Sequence, residues 1–111
     1  MWRLLALAGV TLLVSCAVAF ATEGRIVGLN GASMVVIWKD KKSNDEAMEL
    51  HDAGADKTNP ALLIPLVACI VPSGTKAIIT SAGFATHDVM VIEGEHSGCR
   101  GNIVMEMFKR D

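Results

Sequence analysis

A chain of 111 residues with ten Lys and Arg against twelve Asp and Glu carries a formal charge of −2. Its one basic cluster is Lys39-Asp40-Lys41-Lys42, too little to form the electrostatic footprint that nucleic acid requires. The length suits a single domain with one hydrophobic core and a thin stability margin, and no catalytic or metal-ligand motif stands out.

The amino terminus reads as an export signal. Met1, Trp2 and Arg3 form a short positive start, Leu4 to Phe20 an uncharged apolar run, and Ala19-Phe20-Ala21 a small-x-small cleavage site before Thr22-Glu23-Gly24. Residues 1–21 are thus expected to be removed, leaving residues 22–111 as one exported domain, periplasmic or extracellular. Two other readings of this start stay open. Leu13-Val14-Ser15-Cys16 has the order that lipoprotein peptidases accept, which would anchor the protein through a lipid on Cys16. An uncleaved apolar anchor is the other.

The first element of the exported part is expected to be a β-hairpin. Arg25 to Leu29 and Ser33 to Trp38 are rich in β-branched residues, and Asn30-Gly31 between them tolerates positive φ. Ser43 followed by Glu46 then reads as a capping box opening a short surface helix, which Gly54 ends. Ala55 to Asn59 is expected as a loop, running into one helical turn at Ala61 to Leu63 before Pro65.

Strands are expected at Leu66 to Val71, Thr75 to Thr80, Asp88 to Glu93 and Gly101 to Phe108, the first two joined by a Pro72-Ser73-Gly74 turn. Gly94 and Gly98 bracket the last tight connection. The fold class is therefore mainly β: a small barrel of five or six antiparallel strands with one inserted short helix. Segments such as Val89 to Ile92 are apolar at nearly every position, so part of the outward face must be covered, by the helix or by a partner chain.

Cys16 leaves with the signal, so Cys69 and Cys99 are expected to pair in an oxidising compartment. The Cys-x-x-Cys spacing of redox catalysts is missing. His96 with Glu93 and Glu95 could in principle hold a metal, while His51 and His87 lie far apart in sequence, and solvated charge accounts for all of them as well. Ser33, Ser73, Ser81 and Ser97 lie outside any nucleophile elbow. No catalytic residue, metal ligand or cofactor is assigned. The candidate ligand-binding residues are Trp38 and Arg100, the latter because a guanidinium beside a disulfide could clamp a carboxylate; pairing with Glu93 or Glu95 is its plainer role.

The runs Val67-Ala68-Cys69-Ile70-Val71-Pro72-Ser73-Gly74-Thr75-Lys76, Val89-Met90-Val91-Ile92-Glu93-Gly94 and Ser97-Gly98-Cys99-Arg100-Gly101-Asn102-Ile103-Val104 resemble the bacterial Src-homology-3-like domain. That family runs strand, "V-P-x-G-T" turn, strand, "V-x-V-x-x-G" and a closing "G-x-x-G-W-V" strand, matched here over residues 60–108. The resemblance implies a small barrel that binds cell-wall peptides or protein partners and seldom catalyses. Asn102 stands where the family often has Trp, and residues 22–111 hold no Tyr, with Trp38, Phe84 and Phe108 their only aromatics. A ring-lined groove for proline-rich peptides is not expected.

The expected function is a non-enzymatic binding or interaction domain for an unidentified envelope protein or cell-wall component. The alternative is a structural subunit acting as a homo-oligomer through self-association, and a small secreted enzyme is a third class.

Overall fold

A computed structural model describes residues 22–111; processing after Ala21 and the lipid alternative at Cys16 lie outside the described residues. Among these residues seven strands form one antiparallel sheet: β1 (Thr22–Ile26), β2 (Met34–Trp38), β3 (Val67–Pro72), β4 (Thr75–Ala82), β5 (Thr86–Val91), β6 (Arg100–Val104) and β7 (Phe108–Arg110). Their order is β3-β2-β6-β5-β4-β1-β7, and the sheet curls into a half-barrel. The mainly β class with an inserted helix is as the sequence suggests.

Alternation along the strands builds the core on the inner face of the curl. Ile26, Val35, Ile37, Cys69, Val71, Ala77, Ile79, Val89, Val91 and Ile103 form it, with Met107 and Phe108 packed against them. β6 comes so close to β2 that a Cβ on Gly101 would run into the Trp38 carbonyl and the Ile37 side chain. Only glycine admits that approach.

The expected hairpin does not form. Asn30 and Gly31 do take positive φ, 54° and 77°, and the Ala32 N–H donates to the Leu29 carbonyl at 3.1 Å. The strands then part: β1 pairs with β4 and β7, while β2 pairs with β3 and β6. The Gly28 N–H donates to Ser73 Oγ at 2.9 Å and the Val27 N–H to the Met107 carbonyl at 2.8 Å. The local turn is satisfied, but burying Ile26, Val35 and Ile37 in one core sends their strands to different neighbours.

The expected strand from Gly101 to Phe108 is also divided, by a 3-10 turn at Met105–Met107. β6 follows β5 as far as the Thr86 to Val104 pair, after which the chain crosses to β1 and continues as β7. This division raises the strand number to seven.

The helix α1 spans Lys41–Asp52, so it starts earlier than the Ser43–Glu46 box implies. Its N-cap is Asp40, whose Oδ1 accepts the Ser43 N–H at 2.7 Å, a stronger anionic cap at the positive end of the helix. Residues Ala55–Thr58 form a further short helix, α2, where a loop was expected, and two 3-10 turns at Pro60–Leu62 and Ile64–Leu66 replace the single one.

Donation from the Ser43 backbone N–H and then its hydroxyl holds the Asp40 carboxyl below its ordinary pKa. A carboxylate shifted down stabilises the fold fully above its unfolded value of 3.8, and loses that contribution as pH falls through the lower folded value. Asn also caps helices but cannot ionise. The expected result is that Asp40→Asn is less stable than wild type at neutral pH and that the gap closes as pH falls past the unfolded value of 3.8 and through the lower folded one, read by urea unfolding across pH. A gap independent of pH would remove ionised Asp40 as its source.

Candidate functional site

Register pairs Trp38 with Asn102 and Asn102 with Asp88, so these residues share the face turned away from the core. α1 lies over this face at β6 and β2. Its Asn44 is 1% exposed and donates through Nδ2 to Asn102 Oδ1 at 2.8 Å. Asn102, 2% exposed, spends both amide hydrogens on Thr86 Oγ1 at 3.1 Å and Asp88 Oδ1 at 2.9 Å. The residue standing where the resembled family often carries Trp is therefore the polar hub that ties the helix to the sheet.

The cover stops short of the β3 side. Met34 and Ile70, both turned away from the core, are 51% and 44% exposed. Beside them lies a cleft of about 700 Å³ between the Ile70-to-Thr75 run and the Glu93–His96 turn, a size that suits a ligand or peptide side chains. Apolar surface comes from Met34, Ile70 and Pro72, and polar groups from Glu93, Glu95 and His96.

Arg25 braces the same end of the barrel. Its Nη1 donates to the Gly74 carbonyl at 2.8 Å and lies 4.0 Å from Glu93 Oε2, and its Nε lies 3.8 Å from Asp111 Oδ1. Glu93 Oε2 also accepts the Lys76 N–H at 2.9 Å. Glu93 is thus committed to the frame of the turn, whereas Glu95 forms no ion pair among the described residues and is exposed.

Cys69 and Cys99 are bonded, with Cα atoms 6.7 Å apart. Both face the core, and the bond ties β3 to the residue before β6 across the inside of the curl. A disulfide fits an oxidising, exported location. Among the described residues no helix is long and apolar enough to cross a membrane.

Trp38 and Arg100 both lie on the outer face, but neither lines the cleft. Arg100 is exposed at the start of β6 and makes no ion pair with Glu93 or Glu95; Arg25 holds that place instead. The three histidines are dispersed. His51 Nδ1 sits 2.8 Å from Asp56 Oδ2 and, chiefly through that hydrogen bond, lowers the Asp56 pKa. His87 is buried edge-on to Phe108, and only His96 reaches the cleft. Among the described residues no three His, Cys, Asp or Glu side chains are disposed to share a metal ion.

Met34 and Ile70 escaped the sequence reading because they look like ordinary strand residues. The one available signal was the absence of alternation in Met34 to Trp38 and Val67 to Val71. No family model matches the chain, and neither does any curated protein or solved structure.

Proposed function

We propose that this protein is an exported, non-enzymatic binding module that holds an envelope protein or cell-wall component in the cleft beside β3. The observation that carries the reading is the cleft itself, with half-exposed Met34 and Ile70 next to an acidic turn and a braced frame. Exposed apolar side chains concentrated at a concave site mark a place where a partner removes them from water. The disulfide supports the exported setting, since such bonds persist in compartments where thiols oxidise.

Kinship with the bacterial Src-homology-3-like domain is part of this proposal. It is supported by the succession β3, Pro72-Ser73-Gly74 turn, β4, β5, glycine-bracketed turn, β6, which follows the order of that family's motifs.

One observation favours the second reading, self-association. Phe84 is 100% exposed on the uncharged Ala82-Gly83-Phe84-Ala85 tip, next to exposed Met105. β4 runs from the cleft at Thr75 to this tip, so an apolar knob and an apolar hollow sit at opposite ends of one strand. That is the arrangement from which head-to-tail assemblies grow.

Capture from envelope extract by the purified protein tests the first reading: Met34→Glu is expected to weaken capture about tenfold or more, since it puts a charge into the apolar wall. Arg100→Ala is the companion variant, and loss of capture there would move the contact to the outer face beside Trp38. A mass that rises with concentration in sedimentation and is restored to the monomer by Phe84→Ser would favour the second reading instead.

A further inference from the structure

β3 ends the sheet, and β2 is its sole strand partner among the described residues. The pairing alternates. The Ser73 N–H donates to the Ser33 carbonyl at 2.8 Å, which makes Ser33 and Ser73 a hydrogen-bonded pair in register with Val35 and Val71 and then Ile37 and Cys69. In an antiparallel ladder the residues between such pairs turn their backbone groups the other way. The N–H and C=O of Ile70 therefore face the open edge, and among the described residues no loop or turn group takes them. Pro72, two residues on, has no N–H to offer, and its carbonyl is occupied by the Thr75 hydroxyl at 2.6 Å.

An unpaired strand edge invites another strand, and proteins usually blunt it with Lys, a bulge or a covering element. β3 bulges at Ala68 and ends in Pro72, which confines open pairing to the stretch around Ile70, but it carries no charged residue there and its edge opens onto the cleft. Opposite it stand Glu93 and Glu95. Arg25, flanked across β1 by Lys76 and Lys109, lies 4.0 Å from Glu93, whereas the cleft lining itself holds Glu93 and Glu95 and no Lys or Arg, which leaves Glu95 as its uncompensated carboxylate.

Resting on the binding-module reading, we propose that the cleft takes an extended polypeptide segment bearing Lys or Arg, which adds to β3 as an eighth strand. Its backbone would bond to the N–H and C=O of Ile70, one alternate side chain would rest on Ile70 and Met34, and a cationic one would reach Glu95. Main-chain bonds supply affinity in this mode and side-chain pockets supply selectivity. The Glu95 carboxylate would favour basic segments, and that preference would weaken with salt.

The test is a titration of the purified protein, disulfide intact, with a peptide of about eight residues alternating Val and Lys, followed by amide NMR. Saturable binding is expected, with slowed exchange at the Ile70 amide and a loss of about tenfold or more in affinity between about 0.1 M and about 0.5 M salt. The same peptide N-methylated at alternate residues should fail to bind, a comparison that leaves the protein unaltered and so does not depend on any variant folding. Equal binding by the N-methylated peptide, or by one with Glu in place of Lys, would overturn strand addition by a basic segment. Slowed Ile70 exchange in the protein alone, together with a dimer mass, would overturn it in favour of a second copy on the same edge. If peptides fail while Met34→Glu still abolishes envelope capture, strand addition falls and the cleft reading stands; if capture ignores Met34→Glu, the cleft reading falls.

Discussion

Replacing Cys69 and Cys99 together with Ala is expected to lower the free energy of unfolding by about 3 to 4 kcal/mol, measured by urea denaturation. The two residues lie 30 apart in sequence, and in the chain-entropy account the unfolded ensemble regains the freedom of a loop of that length. A domain of this size has little stability to spare. Ala is chosen because both positions face the core, where a Ser hydroxyl would add a desolvation cost unrelated to the bond. Reduction of the wild-type protein should reproduce the effect without any substitution. A loss below about 1 kcal/mol in both experiments would show that strand pairing alone closes the curl.

Asn102→Leu should cost about 2 to 4 kcal/mol, with a double-mutant cycle as the measurement. The substitution removes three hydrogen bonds at one position and leaves Asn44 at the helix–sheet interface with a buried amide that has lost its acceptor. Orphaning a buried polar group is costlier than deleting both partners. Asn44→Leu combined with Asn102→Leu is therefore expected to cost less than the sum of the two, with a coupling of about 1 to 2 kcal/mol. Strict additivity would mean that α1 is held by Ala47 and its apolar neighbours, not by the amide pair.

Asn102 also illustrates what the sequence could carry. Its strand was legible, because β-branched residues and a preceding glycine mark the run from Gly101. Its role was not, since the partner Asn44 lies 58 residues away on a helix whose orientation no local pattern encodes. Asn30-Gly31 teaches the converse. The dipeptide did form the turn its φ preferences favour, yet strand pairing is a contest among all edges, and the core decided it. The Asp40 cap was masked by Ser43, which offered a plausible cap three residues later and in fact supplies the N–H that Asp40 accepts. Of the candidate site, the acidic turn was visible as composition. The cleft was not, because Met34, Ile70 and Glu95 come together only through the curl of the sheet.

The place of β1 between β4 and β7 has a consequence in time. Residues 22–26 pair with residues 75–79 on one side and with residues 108–110 on the other. The sheet cannot close until segments from both extremes of the described chain are present at once. Pairings of such sequence separation are slow and pass through species with open strand edges. During synthesis β1 must wait for β4 and then for β7, both made well after it, so the strand that appears first among the described residues is among the last to find its full set of partners. Closure of the sheet is therefore a late event, and the Cys69–Cys99 bond, which ties β3 to the residue before β6, can form before β1 and β7 have met.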